Sequence, residues 1–81
     1  MTKSEILDDV NKIFIEILDN DSITLNEGTT ADQVENWDSI TNIQLMVAIE
    51  KHFKIRFTST EIQRFANIGN MCEAINTKLE R

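Results

Sequence analysis

The sequence predicts an all-α fold: a four-helix bundle of three longer helices and one short third helix, with a long loop between the first and second. Three observations carry this. Apolar residues recur at three- and four-residue spacing in three separate segments, which is the period of a helix face. Thr2 with Glu5 and Thr58 with Glu61 form T-x-x-E pairs, in which a hydroxyl and a carboxylate satisfy the open N–H groups of a helix start. No strand-like alternation of apolar and polar residues runs through any of these three segments.

The first helix is expected over residues 3 to 18. In "TKSEILDDVNKIFIEIL", Ile6, Val10, Ile13 and Ile17 follow at helical spacing, and Leu7, Phe14 and Leu18 broaden the same face. Residues 19 to 38, "DNDSITLNEGTTADQVENWD", mix turn formers and acids, with Ile23, Leu25, Val34 and Trp37 as the sizeable apolar residues. They read as a loop tacked onto the bundle by those four. A connection of this length is unusual in a compact domain, so it either contains a helical turn or carries a functional surface.

The second helix is expected from Ser39 to Phe53. Leu45, Ile49 and Phe53 mark a core stripe, while Ile40, Ile43, Met46 and Val47 make the apolar surface wider than one stripe. Such a helix lies centrally or sets a core face beside a partner-facing patch. Thr58 and Glu61 open a third helix of at most two turns, carrying Ile62 and Phe65. Asn67 is suited to cap the fourth, on which Ile68, Met71, Cys72, Ile75 and Leu79 share a face. With no repeats and no composition shift, residues 1–81 read as a single domain.

Of 81 residues 41% are hydrophobic and 27% charged, enough for a packed core and too few for a deep substrate cavity. A net charge of -6 opposes nucleic-acid binding, because a polyanion is repelled. The imbalance is uneven: ten acids face only Lys3 and Lys12 in residues 1 to 38, whereas bases outnumber acids thereafter. The single Cys72 excludes an internal disulfide, and no Cys or His set forms a metal site. No segment approaches a membrane span, and the acidic start "MTKSEILDDV" is unlike a signal peptide. The expectation is a complete, cytoplasmic, monomeric chain.

The stretch "NWDSITNIQLMVAIEKHF" places a serine behind an aspartate where an apolar-periodic segment begins. Asp, Ser and Asn all cap helices, so Ser39 could be a cap only, in a small helical adaptor without a prosthetic group. A catalytic serine needs a base, and the sole histidine, His52, lies thirteen residues on, about 20 Å along a continuous helix. That separation excludes a serine–histidine pair, and His52 reads as a solvated residue near a helix C-terminus. Asp19 and Asp21 open a calcium-loop pattern that fails at Thr24 and Thr30, where glycine and glutamate belong. Cys72 reads as a buried structural thiol, Met46 and Met71 as core or contact residues, and Gly28 and Gly69 stand alone rather than in a phosphate loop.

The order of elements, and "WDSITNIQLMVAIEKHF" in particular, resembles the acyl carrier protein family over essentially the whole chain. In that family a D-S-L/I motif opens the second helix of a four-helix bundle. The resemblance implies a non-catalytic carrier whose Ser39 accepts 4'-phosphopantetheine from coenzyme A by the action of a phosphopantetheinyl transferase. Asp38 would help organise that magnesium-dependent transfer. The arm's thiol would carry acyl or aminoacyl groups as thioesters among loading and acyl-processing enzymes.

Carriers of fatty-acid synthesis usually present several acids along the second helix. Here that surface has Thr41, Gln44 and Lys51 with Ile43 and Val47, and the nearest acids are Asp32, Glu35 and Asp38. The expected partner surface is therefore Asp32, Glu35, Trp37, Ile40, Thr41, Ile43, Gln44 and Val47, engaged more by apolar contact than by salt bridges. Alternatively Ile43 and Val47 pack against the loop or short helix. Trp37 stands where a small residue often precedes the aspartate; W-D-S is similar to free-standing carriers of aminoacyl or unusual acyl groups, although Trp37 could also simply anchor the loop. These departures point to a specialised fatty-acid, polyketide or related secondary pathway.

Overall fold

Thr2 begins the first helix by the reciprocal pairing its sequence implies: its N–H donates to Glu5 Oε1 at 2.9 Å and its hydroxyl accepts from the Glu5 N–H at 3.2 Å. The computed structural model describes residues 2–79, and within them the elements run α1 (Lys3–Leu18), a 3₁₀ turn (Ala31–Gln33), α2 (Ser39–Phe53), α3 (Ser59–Gln63) and α4 (Ile68–Leu79). No strand occurs among the described residues. The molecule measures 33 × 25 × 22 Å.

The α1 helix packs against both α2 and α4. Its face of Ile6, Val10, Ile13, Phe14 and Leu18 meets Leu45, Met46, Ile49 and Phe53 of α2, and Ile68, Met71, Cys72 and Ile75 of α4, in one buried cluster. Removing a side chain such as Phe14 or Ile49 from water contributes about 1.5–3 kcal/mol each. Cys72 lies within this core, and burial, with a smaller push from Glu27, raises its thiol pKa to about 11.

Left-handed residues end the first two helices: Asp19 at φ 51° and Lys54 at φ 58°. After α2, both Lys54 and Ile55 donate their N–H groups to Glu50 O, Ile55 at 3.0 Å, which satisfies a terminal carbonyl. The short α3 is held by the Thr58–Glu61 box, by a T-shaped contact of Phe57 with Phe65 at 5.2 Å, and by Lys78 of α4 reaching Glu61 at 3.0 Å. Asn67 caps α4, its Oδ1 accepting the Asn70 N–H at 2.9 Å.

The segment between α1 and α2 is closely fastened. Besides its 3₁₀ turn, it buries Ile23, Leu25 and Thr29. Asn11 of α1 clamps it from both sides, accepting the Leu25 N–H at 2.7 Å and donating to Ile23 O at 3.3 Å. Further on, Thr29 O and Glu27 O accept the N–H groups of Ile68 and Gly69 at 2.9 and 2.8 Å. The loop thus supplies acceptors for the open start of α4.

Candidate functional site

The end of this loop delivers Ser39. Asn36 takes the left-handed conformation at φ 70°, which asparagine tolerates better than most residues. Trp37 then turns inward, packing edge-on to Phe14 with ring centroids 4.9 Å apart and donating its indole N–H to Asn42 Oδ1 at 2.9 Å. Trp37 is therefore an anchor as well as a neighbour of the serine.

Asp38, not Ser39, caps α2. Its Oδ1 accepts the N–H groups of Ile40 and Thr41 at 2.9 and 3.0 Å, and Thr41 completes the box by accepting the Asp38 N–H at 2.8 Å and donating to Asn36 O at 2.7 Å. The N–H donors of Thr41 and then Ile40 hold the Asp38 carboxyl below the usual carboxylate range. Its Oδ2 has no hydrogen bond among the described residues.

With the cap supplied by its neighbour, Ser39 is the first helical residue. It is exposed, and its hydroxyl has no hydrogen-bond partner among the described residues. It borders a surface cavity of about 290 Å³ lined by Ala31, Trp37, Asp38, Asn42, Ile62 and Phe65, so a long substituent on Oγ meets open space with an apolar wall. A helix N-terminus favours a negatively charged phosphodiester at this position. The reading of Ser39 as a cap alone is thereby corrected.

Catalysis by Ser39 lacks a base. The α2 helix is unbroken to Phe53, which keeps His52 about 20 Å away by helical rise. His52 is not merely solvated: its Nε2 lies 3.1 Å from Asp9 Oδ2 and links α2 to α1. No cluster that could hold a metal ion occurs among the described residues, and no helix is long and apolar enough to cross a membrane.

Beyond Ser39, α2 presents Ile40 at 71%, Ile43 at 66% and Val47 at 44% exposure, so these side chains do not pack against the loop or α3. Gln44 is exposed, whereas Thr41 is half-buried in the cap. Asp32, in the 3₁₀ turn, accepts the Thr30 hydroxyl, which lowers its pKa, and Glu35 is exposed. At the far end of α2 a groove of about 450 Å³ is lined by Val47, Glu50, Lys51, Lys54, Ile55 and Arg56. Lys54 and Arg56, beyond the last turn of the helix, thus stand beside Lys51 and add charge to that end of the surface.

Sequence reasoning missed the clamp at Asn11 and the convergence of Arg56 with Lys51. The mid-helix asparagine facing a polar loop is the signal for the first; nothing local signals the second.

Three comparisons bear on this arrangement. Residues 8–75 match the family model described as a phosphopantetheine attachment site. The chain is 31% identical over 75 residues to acyl carrier proteins from two strains of Caulobacter vibrioides, covering 93% of this chain and 96% of those. The solution NMR structure of the holo acyl carrier protein from Geobacter metallireducens is similar at a TM-score of 0.89 with 37% identity, covering 94% of this chain and 87% of that one.

Proposed function

The chain belongs to the acyl carrier protein family, non-catalytic carriers with a covalent 4'-phosphopantetheine, and from that premise we propose that Ser39 is the residue that receives the group. The observation that carries this is the division of labour at the start of α2: Asp38 caps the helix, which leaves the Ser39 hydroxyl exposed and uncommitted.

When attached, the group supplies a thiol on a flexible arm that holds cargo as a thioester. Ser39 Oγ would attack the pantetheine-bearing phosphorus of coenzyme A, forming the phosphodiester as the pyrophosphate bond breaks and 3',5'-ADP leaves, and its proton would pass to a base on the transferase, since the chain's histidine stands about 20 Å away along α2. Asp38 is ionised at neutral pH, its cap bonds lowering its pKa further, and its Oδ2, without a hydrogen bond among the described residues, would be available to the magnesium ion of the transfer reaction. The positive end of α2 steadies the phosphodiester once made. The arm concentrates its cargo at each docked enzyme.

Partner enzymes meet the α2 surface at Ile40, Ile43 and Val47, flanked by Gln44 and by Glu35 and Asp32 of the loop. This apolar docking face supports a specialised acyl or aminoacyl pathway. The test is to incubate the apo chain with coenzyme A, magnesium and a broad-specificity phosphopantetheinyl transferase and to weigh the product. The mass rises by one phosphopantetheine in the wild type and is unchanged in Ser39→Ala. A gain that persists in Ser39→Ala refutes the assignment.

A further inference from the structure

The exposed positions 40, 43, 47 and 51 of α2 and 54 at its C-cap are spaced by three or four residues and so form one stripe about 21 Å long. Its character changes along its length. Beside Ser39 it is apolar, with Ile40 and Ile43; past Val47 it is basic, with Lys51 and Lys54. The chain then turns at Lys54 and brings Ile55 and Arg56 against the same groove.

Lys51, Lys54 and Arg56 are exposed and make no ion pair among the described residues. Glu50 is the single acid in the groove, and its carboxylate is tied to the backbone, accepting the Phe57 N–H at 2.8 Å. The groove therefore carries a net positive charge on a chain whose total is -6. Exposed cations around an apolar floor attract carboxylates while the floor supplies burial.

Resting on the reading of α2 as the docking helix, we propose that this groove receives an acidic patch on a partner enzyme, with carboxylates meeting Lys51 and Arg56 and an apolar side chain seated on Val47 and Ile55. The partner would then be oriented with its acidic patch at the far end of α2 and its active-site mouth at Ser39. A discrete acidic patch fits better than an anionic bilayer or nucleic acid, because Asp38 at the other end of α2 and the exposed Asp32 and Glu35 of the loop before it would repel an extended negative surface. The apolar docking expected for this helix then holds near Ser39, and its basic end adds a salt-sensitive part.

The test is an NMR titration of the ¹⁵N-labelled wild-type chain with an amphipathic peptide of alternating Leu and Glu turns, standing in for the acidic patch. Saturable amide shifts are expected from Ile43 through Arg56, weakening with salt. Affinity falls about ten-fold in K51E/R56E and less in K51Q/R56Q. Equal affinity across the variants, shifts confined elsewhere, or no saturation overturns the proposal. So does capture of the wild type by phosphatidylglycerol vesicles, abolished in K51E/R56E, if the peptide gives no shifts. Phosphopantetheine transfer to the wild type, read by mass, keeps the two readings apart: its failure removes the carrier reading and leaves the peptide result standing.

Discussion

The indole N–H of Trp37 donates to Asn42 Oδ1 at 2.9 Å across the start of α2, so the residue two before Ser39 is bonded to a residue of the helix it introduces. The same ring packs edge-on against Phe14 of α1. A loop that could swing freely is in this way nailed to two helices immediately before Ser39.

Trp37→Ala is expected to destabilise the fold by about 2 kcal/mol, from lost ring burial and the lost edge contact. Trp37→Phe keeps the apolar part and should cost about half of that, mainly the hydrogen bond. Urea unfolding of the two variants gives the comparison. Equal losses would show that the ring's burial and the bond to Asn42 do not separate.

Asn11→Ala is expected to cost about 2 kcal/mol, because the Leu25 N–H and Ile23 O both lose partners in a part-buried setting. Asn11→Asp retains an acceptor for Leu25 and should recover part of the loss. Faster amide exchange at Leu25 in the alanine variant would locate the effect in the loop.

A Cβ at Gly69 would lie 2.9 Å from Glu27 O, and a backbone atom cannot move aside as a flexible side chain can. Gly69→Ala should therefore cost about 1–3 kcal/mol. Hydrogen exchange at Ile68 and Gly69, whose N–H groups donate to the loop, should accelerate together. Unchanged protection there would mean that α4 and the loop separate without breaking these bonds.

Acid should weaken the fold through its helix starts. Asp38 is held below its ordinary 3.8 by the N–H groups of Thr41 and Ile40; Glu5 and Glu61 are held below 4.5, first by the N–H groups of Thr2 and Thr58. The unfolded chain binds these protons more readily, so the stability they contribute is present above the ordinary values and lost as pH falls through the folded-state ones. Urea midpoints should start to fall below about pH 4, and Asp38→Asn should flatten the fall. A midpoint indifferent to acid in that window would sink the assignment.

Much of the helical frame is legible in the sequence because its signals are local. The apolar spacing of Ile6, Val10, Ile13 and Phe14, and the T-x-x-E pairs at Thr2 and Thr58, are complete within a few residues, and each element stands where these signals put it. The loop is legible only in outline. Ile23 and Leu25 mark themselves as buried, whereas the donor for Ile23 O and the acceptor for the Leu25 N–H both lie on Asn11, and the donors for Thr29 and Glu27 come from α4 at the other end of the chain.

At the site, the D-S pair was readable and its internal division was not. Both residue types cap helices, and only the backbone decides that Asp38 takes the cap while Ser39 enters the first turn. Likewise the width of the apolar surface on α2 was plain, but which of its members face water depends on where α1 sits. His52 reads as solvated in the sequence because its partner, Asp9, is 43 residues away.

The bond pattern around Asp38 has one more result for the life of the molecule. Since the bonds that secure the beginning of α2 run through Asp38, Thr41 and Trp37 and none involves the Ser39 hydroxyl, esterifying that residue removes no anchoring contact, and attachment or hydrolytic removal of the arm leaves the scaffold as it was. The modified form should then melt no lower than the unmodified one, and the enzymes that add or strip the arm need not reshape the protein to do so.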